Sequence, residues 1–298
     1  MSQLSVHFGG DARAAMCRAF DRAHAFIDAE FYSIDDPAVI GSLNRAAERG
    51  VRVRIVVEGD PRRYDGDAEP SARALRGGLV DAVDVRVSRL PHELVHGKAA
   101  VIDADTALVS TANVRPSGFF NAGEVLVVDR DQHDVDAVDA KIGAATAGAP
   151  SGAGLRAKLD AMFAAATSIC IAVEDISDAR VVARLAERAR AGFHDLLLIG
   201  PNPSSASAKA LRKLVAAHVD VRVPPRHQYM HEKYVDSGDR IYVGSANLTH
   251  NGIDEAYEVG IVSPAADFGE GARMLRDRFR SMWSHAVPWN SRSCSARA

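Results

Sequence analysis

Two histidine–lysine pairs hold most of the reactive chemistry of this chain. His96 stands two residues before Lys98, and His231 two before Lys233. With 11 histidines in the sequence, and Lys98, Lys141, Lys158, Lys209, Lys213 and Lys233 its only lysines, chance supplies about 0.2 such pairs. Both pairs also fall at equivalent places in a longer pattern. Each is followed by a turn of small residues ending in asparagine, Thr111-Ala112-Asn113 or Ser245-Ala246-Asn247, then by Gly118 or Gly252, then by Glu124 or Glu258. The interval from asparagine to glutamate is identical in the two copies.

Side chains two apart on a strand project from the same face. Two such strands brought together would gather two imidazoles, two ammonium groups and two asparagine amides. A monoanionic phosphodiester suits that inventory. Lysines and amides hold its non-bridging oxygens and stabilise a pentacovalent transition state, while one imidazole attacks and the other protonates the leaving oxygen. In a chain that otherwise prefers arginine, lysine at these places makes sense as a compact point charge.

Alternating helices and strands must position these groups. Asp11–His24 carries Met16, Ala19, Phe20 and Ala23 at helical spacing, and Phe26–Ile34 is rich in aromatic and branched residues, as strands are. Asp36 and Pro37 supply an N-cap and first-turn proline for a helix bearing Val39, Ile40, Leu43 and Ala47, which Gly50 ends before a strand at Val51–Val57. After the small-residue stretch Ala147–Gly154 the pattern restarts: Asp178 and Gly192 repeat Asp36 and Gly50 at one interval, and the tetrapeptide DVRV at Asp84 returns at Asp220. The extra residues of the first copy fall in Asp60–Gly78, which reads as a surface loop. The expected fold class is α/β, with two pseudo-twofold-related repeats, each a mixed β-sheet flanked by helices, and the active site at their interface. Residues 1–146 form the N-terminal repeat with the first pair, 147–154 a linker, and 155–298 the C-terminal repeat with the second.

At these residues the chain resembles the phospholipase D superfamily, whose signature is HxK(x)4D followed by GSxN, usually in two copies. The first copy carries His96, Lys98 and Asp103 at that spacing, and its turn reads Ser110-Thr111-Ala112-Asn113. The second keeps Gly244-Ser245-Ala246-Asn247 but is one residue shorter; Gly238 stands where the aspartate belongs, and Asp236 and Asp239 are the nearest substitutes. The resemblance implies a phosphodiesterase that needs neither metal nor cofactor and works in two steps through a phosphohistidine, which water or an alcohol resolves. His96 would be the nucleophile and His231 the general acid. Lys98, Lys233, Asn113, Asn247, Thr111 and Ser245 would hold or support the phosphate, and Glu124 and Glu258 would orient the histidines.

At 298 residues, 47% hydrophobic and 25% charged, the chain is neither disordered nor a rod. Its net charge of -3, without a basic stripe interleaved with aromatics, places a phospholipid or similar phosphodiester ahead of nucleic acid as partner. A nuclease is the alternative within the same chemistry. A non-catalytic phosphodiester-binding module, suggested by the irregular second motif, is the alternative outside it. Cys17, Cys170 and Cys294 form no CxxC pair, and the N-terminus lacks an export signal, so a cytoplasmic location is expected. No stretch is apolar enough to span a membrane; the amphipathic segment Phe268–Trp283 is expected to pack against the second repeat, with peripheral membrane contact as the lesser alternative. Both motifs lie in one chain, so a monomer is expected to suffice. His92 and His227, each four residues before a motif histidine, read as loop histidines, with the pocket rim as the alternative. Val135 and Val138 make the acidic run Asp129–Ala140 a solvated helix face rather than a cation site.

Overall fold

A computed structural model describes residues 3–58, 78–88, 94–121, 124–149, 154–225 and 229–290. The first half builds a 7-stranded sheet from β1 (Leu4–Phe8), β2 (Phe26–Phe31), β3 (Arg52–Glu58), β4 (Val83–Ser88), β5 (Lys98–Ile102), β6 (Thr106–Ser110) and β7 (Val125–Asp129), in the order β1-β7-β6-β5-β2-β3-β4. Strands β2, β3 and β4 pair in parallel and the others antiparallel. The second 7-stranded sheet runs β13-β12-β11-β8-β9-β10-β14, from β8 (Cys170–Val173), β9 (Leu196–Ile199), β10 (Asp220–Val223), β11 (Lys233–Asp236), β12 (Arg240–Gly244), β13 (Gly260–Pro264) and β14 (Val287–Pro288). The two orders coincide except at the added edges, β1 on the first sheet and β14 on the second. Each edge strand is fixed by pairing with a segment remote in sequence, and the two-residue β14 is too short to show a period.

The helices are α1 (Gly9–Asp21), α2 (Pro37–Glu48), α3 (Pro116–Asn121), α4 (Gln132–Ala147), α5 (Leu155–Ala165), α6 (Ala179–Arg190), α7 (Ser205–Ala216), α8 (Ala265–Phe268) and α9 (Glu270–His285), with a π-helical turn at Asn251–Glu255. Repeated residues do repeated work. Asp36 caps α2 by accepting from Ala38 and Val39 N–H, and Asp178 caps α6 by accepting from Arg180 and Val181 N–H. Gly50 (φ 88) and Gly192 (φ 90) reverse the chain after those helices in a conformation that L side chains rarely adopt. The expected first helix starts two residues earlier, at Gly9, and the acidic run lies mainly on α4, whose Val135, Val138 and Ile142 are buried while Asp136 and Asp139 face solvent.

Apolar residues fall into three layers. Phe20, Val39 and Leu43 of α1 and α2 cover the outer face of the first sheet, and Met162, Leu185 and Leu211 of α5, α6 and α7 cover that of the second. Between the sheets Val101, Val109 and Val127 share a cluster with Tyr234, Ile241 and Val243, together with Val138 of α4 and Leu275 and Phe279 of α9. That central layer welds the halves and brings their motifs together. Helix α9 belongs to it rather than to the second repeat alone: Arg278 donates to Glu232 at 2.5 Å and lies 5.1 Å over the Phe8 ring. Its buried apolar face is therefore occupied by protein, as expected, and Gly269 (φ 52) breaks it from α8. Among the described residues no helix is long and apolar enough to cross a membrane. Residues 150–153 of the expected linker and 60–77 of the expected loop lie outside the described residues.

Candidate active site

Each histidine precedes the first residue of its strand by two positions. Lys98 and Lys233 open β5 and β11 with fully buried side chains, and each ammonium donates to the carbonyl of its own motif histidine, at 2.5 and 2.7 Å. The asparagine turns are tied beside them in the same way in both halves. Val114 bridges to Ile34 and Leu248 to Ile176, so each asparagine is delivered next to the end of β2 or β8. Gly118 and Gly252 let the chain turn back over those asparagines; a Cβ would meet Asn113 O at 2.4 Å or Asn247 O at 2.6 Å. Asn247 Oδ1 accepts from Asp175 N–H at 3.2 Å, whereas Asn113 Oδ1 is buried without a partner.

The glutamates cross over. Glu124, from the first half, holds His231 Nδ1 at 2.7 Å, and Glu258, from the second, holds His96 Nδ1 at 2.8 Å. The other oxygen of each accepts from the hydroxyl of its own half, Thr111 to Glu124 and Ser245 to Glu258, so the small hydroxyl residues lock the carboxylates rather than meet a phosphate directly. A carboxylate only accepts hydrogen bonds, so each Nδ1 carries its proton and presents Nε2 to the site. The crossing makes each half depend on the other. His96 N–H also donates to Tyr257 O at 2.9 Å, and Val95 bridges to Tyr257, so the residues leading into the first motif are anchored on the second half.

Charge is unevenly distributed. Burial pushes His96 down to about 4; Glu258 opposes this, and Lys98 and Lys233 add to it. Burial also works downward at His231, but Glu174 and Glu124 outweigh it together, and its pKa is raised although Lys233 Nζ lies 3.0 Å from both ring nitrogens. Glu174 Oε2 is 3.0 Å from His231 Nε2, so both nitrogens of this ring face carboxylates. Lys98 is brought down to about 7, by burial first and then by Lys233, with Glu258 opposing. Glu124 and Glu258 are buried, which raises a carboxyl, yet their histidine partners hold both below the usual range. The crossed glutamate contacts, with each lysine bonded to the carbonyl of its own motif histidine, gather all four motif residues in one cluster.

Several sequence-based expectations do not reach this cluster. Asp103 sits at the far end of β5, about 16 Å along the strand from Lys98. It accepts from His24, Ala25 and Phe26 N–H, each at 2.8 Å, and so caps the turn into β2. Asp236 accepts from Arg276 of α9 at 2.7 Å and from the Tyr234 hydroxyl at 2.9 Å, and Asp239 accepts from Ser237 at 2.7 Å. All three aspartates are therefore structural, which corrects their expected place in or near the chemistry; the shorter second hairpin simply uses other partners. His92 and His227 lie outside the described residues. Among the described residues, one His/Asp group has metal-ligand spacing, Asp178, His250 and Asp254, and Arg156 already bridges its two carboxylates. Sequence reading missed Glu174, Tyr32, Tyr229 and Glu30. Tyr32 packs edge-on to His96 with centroids 4.9 Å apart and lies 5.2 Å from Lys98 Nζ. A usable signal existed for two of them: Tyr32 and Glu174 occupy the same place in the repeat, just before Ile34 and Ile176.

A family model described as cardiolipin synthase, PLD-like domain, matches the chain twice, over residues 16–144 and 159–283. The chain belongs to the phospholipase D-like family. Cardiolipin synthase A of Pseudomonas aeruginosa is 32% identical to it over 114 residues, which are 37% of this chain and 22% of that protein. The phospholipase D-like chain thus spans about a fifth of the curated relatives it matches. Phosphatidylserine synthase of Haemophilus influenzae Rd KW20 superposes with a TM-score of 0.73 at 12% identity, covering 98% of this chain and 89% of that one. Polyphosphate kinase from Porphyromonas gingivalis gives 0.69 at 15% identity, over 97% of this chain and 49% of the kinase. At such identities the likeness is one of fold, and it extends across both repeats of this phospholipase D-like chain.

Proposed function

We propose that the protein is a phosphodiesterase acting on a phospholipid or similar phosphodiester through a covalent phosphohistidine, by hydrolysis or by transfer to an alcohol. The observation that carries this reading is the pair of crossed His–Glu contacts converging with two buried lysines. His96, neutral and with Nδ1–H held by Glu258, directs the Nε2 lone pair at phosphorus. The phosphorus–oxygen bond breaks, its electron pair leaves with the alkoxide, and His231 Nε2 supplies the proton. Neutral His231 then takes a proton from water or an alcohol, whose oxygen attacks phosphorus and releases His96. Lys98, Lys233 and the amides of Asn113 and Asn247 balance the phosphoryl charge, a task these residues can perform without a metal.

The match to cardiolipin synthase A and the matching family description support a lipid substrate over nucleic acid. The test is trapping of a labelled phosphoenzyme by alkaline denaturation, in which a phosphohistidine survives, from a labelled phosphatidyl donor in vesicles, run beside labelled single-stranded DNA and repeated with chelator. Label on the wild type and none on His96→Ala are expected with the lipid only. Label from DNA alone would make the protein a nuclease, and no label from either would leave a binding module.

A further inference from the structure

The two halves of the site differ at one pair of equivalent residues. Phe31 pairs with Lys98 and Val173 with Lys233, so the next residues, Tyr32 and Glu174, enter the site at matching places. Tyr32 offers His96 a neutral ring. Glu174 offers His231 a carboxylate, with Oε2 3.0 Å from Nε2 and 3.4 Å from Lys233 Nζ, while Oε1 accepts from the Tyr229 hydroxyl at 3.0 Å. Since Glu124 holds Nδ1, Nε2 is the ring atom left to meet a leaving group. Lys233 is the ammonium left to meet a phosphoryl oxygen on that side. One carboxylate oxygen fills both contacts.

We infer that Glu174 is a displaceable internal anion: it holds the phosphoryl-oxygen position of the His231 half in the free protein, and a diester gains that position by expelling it. The inference rests on the phosphodiester reading above. Carboxylate and diester each carry one negative charge, so the exchange keeps His231 and Lys233 balanced and the imidazolium protonated before substrate arrives. A phosphomonoester dianion would add a second charge beside Glu124 and gain less from the exchange. The groups facing Glu174 and His231 are Glu124 from the turn before β7, Lys233 from β11 and Tyr229 from the segment before it, whereas Glu232 is paired with Arg278 of α9. Tyr229 is 38% exposed and stacks on His231 with centroids 6.2 Å apart, a place from which it can follow Glu174 outward.

Calorimetric titration of the full chain with inorganic phosphate, in mildly acidic buffer where phosphate is mainly the monoanion, tests this. Glu174→Gln and Glu174→Tyr, the second copying the equivalent Tyr32, should bind phosphate at least about ten-fold more tightly than the wild type, because the competitor's charge is gone. Tyr229→Phe, which removes one hydrogen bond from the carboxylate, should bind a few-fold more tightly. Circular dichroism and thermal melting establish that each variant is folded, and Tyr229→Phe keeps the test open if a Glu174 variant is not. Equal or weaker binding in the folded variants, with phosphate bound measurably by the wild type, overturns the inference alone. Absence of binding in every protein overturns it together with the phosphodiester reading.

Discussion

Replacing Glu30 by glutamine removes one buried charge while keeping the shape of the side chain. Glu30 is fully buried in β2; its Oε1 accepts from Gly97 N–H at 3.0 Å, between the motif histidine and lysine, and its Oε2 has no partner. Burial pushes its carboxyl from 4.5 up to about 8, against the pull of the Gly97 N–H and with a further push from Glu258. Between those two values the folded chain keeps a proton that the unfolded chain has released, so stability falls as pH rises through that window. At about 1.4 kcal/mol per pH unit, the loss approaches a ceiling of about 5 kcal/mol near pH 8 and then stays constant. Glutamine is neutral throughout and still offers Gly97 an oxygen. Urea unfolding of wild type and Glu30→Gln at a series of pH values isolates this group, since Glu232, Lys98 and the remaining titrations largely cancel in the difference. The variant should gain on the wild type steadily from pH 5 to pH 8, and the difference should level off above that. A difference that stays flat from pH 5 to pH 9, or that moves in the wild type's favour, refutes the assignment of a neutral, proton-bearing Glu30.

Two further outcomes follow from the site. For a diester substrate, kcat/KM should rise through about pH 4, where burial leaves His96 to lose its proton, and fall through about pH 7, where Lys98 loses its own; a plateau reaching pH 10 would show that Lys98 behaves as an ordinary lysine. Asp103→Asn should cost about 1 kcal/mol of stability through weakened backbone caps while leaving kcat within about two-fold, and a folded variant with a large loss of kcat would return Asp103 to the chemistry.

Much of this arrangement is local and therefore readable in the chain. Histidine and lysine two apart share a strand face by strand geometry alone, Asp36 and Asp178 cap helices through their own backbone, and the doubled motif states that one unit occurs twice. The glutamates were identifiable as residues but not by partner. That Glu124 serves His231 and Glu258 serves His96 depends on how two sheets pack across the central layer, which no interval within one repeat encodes. Asp103 shows the reverse: a motif position suggests chemistry, yet β5 carries it about 16 Å from the lysine and hands it a cap.

Residue types and their spacing were enough to specify two matching half-sites and the kind of anion they suit, because those properties follow from short-range backbone geometry. Only the packed halves decided which histidine has its pKa raised and which lowered. Lys98 and Lys233 look alike in the sequence, as do the two histidines, but sheet register puts Tyr32 beside one imidazole and Glu174 beside the other. Inside a buried cluster, a single carboxylate at hydrogen-bonding distance is sufficient to give two equivalent histidines different electrostatic surroundings.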